Sequence, residues 1–297
     1  MAGITLRTLQ PGDEAALEAF LRPRIESSMF LLSNMRIAGL AYTGQRPSGT
    51  YVAAFEDGAM VAVAAHFWNG MLMPQAPVHL EAVWKATVQA SGRPIRGLIG
   101  SYEQVVAIKT ALKLEGDAMQ MDNHERLYTL SLDALQVPEA LRTGQVKGRR
   151  VAPRDAEILA RWRVGYEVEA LGATETPELW ERERADARRT AKSGNAWILE
   201  AGGQPVATSN FNAAIAEAVQ IGGVWTPPEL RRRGYARCVV AQSLLDARSS
   251  GVPRAILFTD EHNLPAQKAY TSLGFRHVGE FYLLMLKKGL DPQPYLS

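Results

Sequence analysis

The sequence predicts an α/β protein of two tandem domains, each a mixed central sheet flanked by helices. Three observations carry this expectation. The chain has 297 residues, beyond the usual size of a single core. Each half begins with a strand pattern that turns at proline and enters a helix pattern near an aspartate, and hairpin and strand–helix patterns follow. Residues also recur at near-constant offsets: Arg7, Pro11 and Asp13 return as Arg149, Pro153 and Asp155, 142 positions on, while Ser91-Gly92, Lys109 and Leu114 return as Ser250-Gly251, Lys268 and Leu273, 159 positions on.

Taken in order, the first half opens with the strand around Ile4 to Leu9, a turn at Pro11 and a helix capped at Asp13. Tyr51 to Phe55, Asp57-Gly58 and Val61 to His66 read as a hairpin, and Trp197 to Glu200, Gly202-Gly203 and Val206 to Phe211 parallel it. Pro138 and Gly144 mark residues 136–147 as a linker. The expected division is 1–135, linker 136–147, second domain 148–288 and tail 289–297. In the second domain Thr176 caps and Pro177 starts a polar helix running to Lys192. Its alternating Glu and Arg residues fit a solvated or inter-domain face; Arg188 or Arg189 facing an acidic acceptor is the functional alternative.

Composition excludes several classes. A formal charge of +2 gives no net field for nucleic acid or membrane. The longest strongly apolar run, Val61 to Trp68, is too short to span a bilayer, and no signal-peptide pattern opens the chain. Cys238 is the one cysteine, so no internal disulfide is available, and the expected location is the cytoplasm. Its place at helical spacing makes it a buried structural thiol. Five histidines form no ligand cluster, so no metal site is expected. No feature of the sequence sets an oligomeric state.

The most informative stretch is Val224-Trp225-Thr226-Pro227-Pro228-Glu229-Leu230-Arg231-Arg232-Arg233-Gly234-Tyr235-Ala236-Arg237. A strand stops at two prolines, three arginines and a glycine follow, and a helix begins at once. Ala236, Val239, Val240, Leu244 and Ala247 fall on one face of that helix. Backbone N–H groups at a helix N-terminus, beside cationic side chains, make an anion cradle, and Gly234 permits close backbone approach. The ligand expected is a phosphorylated cofactor. The pattern is neither a Walker loop nor a dinucleotide fingerprint. Further on, an apolar strand from Ala255 to Thr259 precedes Asn263, Pro265, Ala266 and Tyr270 on a short helix that Gly274 ends.

Arg231-x-x-Gly234-x-Ala236, followed by Asn263-x-x-Ala266-x-x-x-Tyr270 and Gly274-Phe275, resembles the GCN5-related N-acetyltransferase (GNAT) superfamily. Thr226-Pro227-Pro228-Glu229 is similar to a bacterial subgroup with two domains. The specific motifs cover roughly 146–287, and the internal repeat extends the resemblance to 1–135. Opposite Arg231 to Gly234 at the 159 offset fall Leu72 to Gln75, opposite Tyr270 falls Ala111, and opposite Asn263 falls Gln104. The first copy is therefore expected to keep the fold without the cofactor site.

The resemblance implies acetyl-CoA as cofactor, with CoA as product, and an amine of a small molecule or peptide as acceptor. Val224, Trp225 and Thr226 would bind the pantetheine arm through the strand backbone. Arg231 would open the pyrophosphate loop, with the N–H groups of Arg232, Arg233, Gly234, Tyr235 and Ala236 as donors and Arg237 also on the cofactor. Asn263 and Ala266 would flank the arm, and Tyr270 would donate a proton to the departing thiolate. A phenol with reference pKa of about 10 can share a proton with a thiol of about 8.5. The family's usual base position carries Gln220, which cannot take a proton. Glu217, Glu169 and an ordered-water route stay open. The alternative from another class is an acyl-CoA-binding sensor or regulatory module with little or no turnover.

Overall fold

The computed structural model describes residues 3–296, with only the backbone at 170 and 171. The chain forms two compact units, Met1–Leu127 with Val278–Ser297, and Tyr128–His277.

The first unit contains β1 (Thr5–Thr8), α1 (Glu14–Leu21), α2 (Ile25–Ala38), β2 (Gly49–Glu56), β3 (Ala59–Phe67), β4 (Met71–Gln75), α3 (Leu80–Ser91), β5 (Ile95–Ser101) and α4 (Tyr102–Ala111). Strand β6 (Met119–Ser131) then carries the chain into the second unit. There follow α5 (Glu139–Arg142), β7 (Val146–Arg150), α6 (Ala156–Leu171), α7 (Pro177–Ser193), β8 (Ala196–Ala201), β9 (Gln204–Ile215), β10 (Ala218–Trp225), α8 (Tyr235–Ser249), β11 (Arg254–Asp260) and α9 (Leu264–Thr271). Strand β12 (Arg276–Leu290) returns to the first unit. Both halves thus run strand, two helices, hairpin, strand, helix, strand, helix, strand.

Strand pairing is mixed in each unit. In the first unit β1, β2, β3 and β4 are successively antiparallel, β4 and β5 are parallel, and β12 joins β5 antiparallel, with Phe281 opposite Ser101 and Met285 opposite Gly97. In the second, β7, β8, β9 and β10 are antiparallel and β11 is parallel to β10. Parallel strands need a crossover, and α3 and α8 supply it. Helix α8 buries Val239, Val240 and Leu244 in a cluster with Trp197, Leu199, Val219 and Ile221. Ala196 and Ile198, from the alternate positions of β8, meet Leu159 and Trp162 of α6 and Ala187 of α7.

The internal repeat has a physical signature. Arg7 holds Asp13 through two bonds of 2.6 and 2.8 Å, and Arg149 holds Asp155 through two of 2.7 and 2.9 Å. These aspartates do not cap the following helices with their side chains, as the sequence led us to expect. Each reaches back to its arginine and to a loop N–H, of Gln10 or Ala152, because the bidentate guanidinium outcompetes a helix-end amide.

Three expectations meet a different structure. Leu72 to Gln75 are not the counterpart of the arginine loop: they belong to β4, whose pairing with β5 at Leu72–Leu98 matches that of β10 with β11 at Gln220–Ile256. The true counterpart is Ala76-Pro77-Val78-His79 before α3, which also lacks glycine and arginine. Residues 136–147 include α5 and the start of β7 within the second unit. Residues 278–290 lie with the first unit, where Tyr282, Leu284 and Leu286 fill its core and Tyr295 and Leu296 pack against it. The polar helix α7, finally, is capped by Thr176 as read, with Oγ1 3.2 Å from the Leu179 N–H. One of its faces is bound rather than solvated: buried Glu183 takes Arg163 of α6 at 2.6 Å, and Arg189 is paired with Asp186.

Candidate active site

Strands β10 and β11 pair in parallel at Val219–Ala255 and Gln220–Ile256. Pairing ends there, while β10 runs on to Trp225 and β11 to Asp260, leaving a wedge between them. On its other edge β10 departs from regular register with β9. Gly222 faces Asn210 and Trp225 faces Thr208, so three steps on β10 span two on β9. Gly223, at φ +55°, takes up the surplus. A bulge leaves the extra residue outside the ladder, which frees backbone polar groups at Gly223 and Val224 for a ligand. Gly223 needs a glycine's freedom, since a side chain is strained at φ +55° and a Cβ there would meet Asn210, whereas a Cβ at Gly222 would require the Asn212 side chain to move aside. Those two amides are themselves bonded, Nδ2 of Asn210 to Oδ1 of Asn212 at 2.9 Å.

Past Trp225 the prolines end the strand and the arginine loop begins. Arg232 has φ +62° and Gly234 has φ +78°, two left-handed residues that curl the backbone into α8. The first intrahelical bond is Cys238 N–H to Gly234 O at 3.3 Å. The N–H groups of Tyr235, Ala236 and Arg237 therefore precede the ladder and point out of the helix end, with the positive end of its dipole. The side chains of Arg231, Arg232, Arg233 and Arg237 are exposed around this turn. A diphosphate fits this arrangement.

The cations are not equivalent. Arg231 donates from Nη1 and Nη2 to the two carboxylate oxygens of Glu169 at 2.6 and 2.8 Å, from Nε to Thr226 O at 3.0 Å, and lies 4.9 Å over the Trp225 ring. Trp225 meets Tyr166 edge-on at 6.1 Å, and Gly165 lies beneath its indole. Helix α6 thus grips the loop through Gly165, Tyr166 and Glu169, which share a face at helical spacing. Arg233 touches only the Glu229 carbonyl, at 3.4 Å, among its described hydrogen bonds.

Other expected residues fall as follows. Val224, Trp225 and Thr226 line the end of β10, and Thr226 Oγ1 is buried without a hydrogen-bond partner among the described residues. Asn263 caps α9, its Oδ1 accepting the Ala266 N–H at 3.2 Å, and Ala266 is half-buried against the core. Tyr270 is buried, with Phe275 edge-on at 6.0 Å. Cys238 is buried, and burial raises its thiol pKa, which suits a structural role. Glu217 lies in the β9–β10 turn, roughly 25 Å of strand from Trp225, so the structure does not bring it to the loop. Glu169 reaches the loop, but as the partner of Arg231. Among the described residues no cluster could hold a metal ion, and no helix is long and apolar enough to cross a membrane.

Sequence reading missed three features. The Glu169–Arg231 pair spans 62 positions, a separation that no local pattern reports. Asn210 and Asn212 alternate with buried Ser209 and Phe211, a period-two signal that could have marked them as one face. Gln220 is 2% exposed with Oε1 unpartnered among the described residues, which its neighbours in sequence do not reveal.

Comparison with known proteins gives this geometry its context. The model of the acetyltransferase (GNAT) family matches residues 165–275. No curated protein matches the chain in sequence. Among solved structures, a GCN5-related N-acetyltransferase from Sphaerobacter thermophilus is similar with a TM-score of 0.58 at 16% identity, over 97% of this chain and 97% of its own. A tandem GNAT protein from the clavulanic acid biosynthesis pathway gives 0.56 at 12% identity, over 95% and 97%. A GCN5-related N-acetyltransferase from Kribbella flavida gives 0.50 at 20% identity, over 90% and 95%. These likenesses carry the fold along nearly the whole chain. Residues 165–275, which hold the wedge, the arginine loop and Tyr270, match the model of the acetyltransferase (GNAT) family, within a chain whose fold is similar to that of a tandem GNAT protein.

Proposed function

We propose that the second unit transfers acetyl from acetyl-CoA directly to an amine of a small molecule or peptide, with CoA as product. The observation that carries this is the loop itself: two left-handed residues, the open N-terminus of α8 and exposed arginines stand directly beyond a bulged strand whose parallel neighbour has parted from it.

The residues divide the work. The N–H groups from Arg232 to Arg237, with Arg233 and Arg237 beside them, hold the pyrophosphate. The β10 backbone at Val224, Trp225 and Thr226 receives the pantetheine arm in place of a sheet neighbour. Bound acetyl-CoA supplies an activated thioester. The amine nitrogen bonds to the carbonyl carbon as the C–S bond breaks, and a backbone N–H at the Gly223–Val224 bulge steadies the carbonyl oxygen. Tyr270 gives its proton to the sulfur. With Glu169 engaged by Arg231 and Glu217 at the far hairpin, ordered water carries away the amine's proton. The first unit, with Ala76 to His79 where the loop would be, keeps the fold without the cofactor site. A cytoplasmic location accords with the single buried thiol.

The test is calorimetric titration of acetyl-CoA into the wild type and an Arg233→Glu, Gly234→Asp double variant, followed by thiol release with primary amines. Micromolar binding that the variant loses is expected. A wild type that does not bind acetyl-CoA would sink the reading.

A further inference from the structure

Gln220 is the last β10 residue paired with β11, so it marks the apex of the wedge. Val219 and Ile221, on either side of it, belong to the cluster under α8. The Gln220 side chain therefore projects to the opposite face, the one on which Ile198 and Trp225 meet α6 and α7. It is 2% exposed, yet its Oε1 has no hydrogen-bond partner among the described residues. A buried amide oxygen left unpaired is unfavourable, so a donor from outside the protein, water or a ligand, completes it.

On the reading that the wedge takes the acetyl-CoA arm with its thioester carbonyl at the Gly223–Val224 bulge, the apex at Gln220 is the closed end of the wedge that the acetyl group faces. The wedge is also the route by which an amine nitrogen reaches Oε1. We propose that Gln220 is the positioning and specificity residue for the acceptor, taking an N–H of a weakly basic amine that enters uncharged, of the arylamine class. A carboxamide oxygen accepts from a neutral amine but cannot balance an ammonium, whose burial without a counter-charge is strongly unfavourable. Within the second unit the acidic groups of α6, α7 and β8 do not supply one: Glu169 is held by Arg231, Glu183 by Arg163 and Arg182, Glu167 by Arg182, Asp186 by Arg163, Glu157 by Arg184, and Asp155 and Glu200 by Arg149, while Glu178 and Glu181 are exposed. Asp260, at the end of β11, accepts the His262 N–H, and Glu217 is in the β9–β10 turn.

The experiment compares 4-methoxyaniline with benzylamine, amines of similar size and different basicity, by thiol release at one pH. Acetyl-CoA binding and thermal midpoint are measured on the same samples. Wild type should favour the arylamine in kcat/KM. Gln220→Met removes the acceptor oxygen and should raise the arylamine KM roughly tenfold, with acetyl-CoA affinity and thermal midpoint unchanged or higher. Gln220→Glu should restore the arylamine KM at a pH where it is protonated and move preference roughly tenfold toward benzylamine where it is charged. A wild type that favours benzylamine, a preference unmoved in Gln220→Glu, or bound acetyl-CoA with turnover of neither amine would each overturn the proposal. A Gln220→Met variant that loses thermal stability and activity together would overturn it as well, by showing a structural role. Failure of wild type to bind acetyl-CoA is separate and would remove the parent reading.

Discussion

Arg231 gives both terminal nitrogens of its guanidinium to Glu169, at 2.6 and 2.8 Å, and so the first arginine of the loop faces helix α6 rather than the anion cradle. The pair is 39% and 46% exposed, so its direct worth to stability is below about 1 kcal/mol. Its larger effect is on charge: a carboxylate beside the cradle cancels one of the cations that would attract a diphosphate. Glu169→Gln should therefore tighten CoA binding about two- to fivefold at low ionic strength, with the gain vanishing as salt screens the loop. Titration at two salt concentrations checks this. Weaker binding at both would mean that the pair matters for the loop's shape and not its field.

Gly234 enters α8 at φ +78°, where a β-branched residue is strained. Gly234→Val should lose about 1–2 kcal/mol in urea unfolding and abolish CoA binding, because the strained turn no longer presents its N–H groups. Retained CoA affinity would show that the arginine side chains hold the ligand without the backbone.

How much could be read in advance follows from the range of each interaction. The loop was legible because prolines, arginines and Gly234 act within a few residues, and so were the Thr176 cap and the entry to α9. Gln220 was visible as the wrong residue for a base, but its burial depends on distant chain. The closing strand was illegible for a similar reason: alternation in 276–290 announces a strand without naming the neighbour it will pair with. Counterparts across the repeat were misplaced by a stretch of chain because one offset was extended through the site of insertion. Pairing of β4 with β5, and of β10 with β11, fixes them instead.

That closing strand gives a third test. Since Tyr282, Leu284 and Leu286 of β12 complete the core beside β5, a fragment of residues 1–135 should expose the β5 edge and fail to fold cooperatively. Adding residues 278–297 as a separate peptide should restore a cooperative melt. A fragment that melts sharply alone would mean that β6 can take the place of β12.

The repeated Arg–Asp pair predicts a pH dependence of the same sign but unequal weight in the two halves. The hydrogen bonds from Arg149, then the Ala152 N–H, hold Asp155 below the ordinary aspartate range; those from Arg7, then the Gln10 N–H, hold Asp13 at about 2. A depressed carboxyl pKa stabilises the fold above the unfolded value of about 4 and loses that contribution as pH falls through the folded value. Asp155 is 5% exposed, so Arg149→Met should cost about 2 kcal/mol at neutral pH, with the gap closing below pH about 4. Arg7 is 44% exposed, and solvent screening should hold Arg7→Met below about 1 kcal/mol. Equal losses, or a gap that widens in acid, would contradict this assignment.

Tyr270 separates chemistry from binding most sharply. Its ring is buried against Phe275 and its backbone carbonyl accepts the N–H groups of Leu273 and Phe275, so the side chain is fixed by packing as well as by the turn that Gly274 completes. Phenylalanine keeps the ring and the packing and removes only the hydroxyl. If the hydroxyl protonates the leaving thiolate, Tyr270→Phe should lower kcat by about 10²-fold while the acetyl-CoA dissociation constant stays within about twofold. The loss should shrink with an acetyl thioester whose thiol is more acidic than that of CoA, because a better leaving group needs less help from an acid. A deficit that is the same for both thioesters, or one that tracks weaker acetyl-CoA binding, would place the hydroxyl in the architecture of the wedge and not in the proton's path.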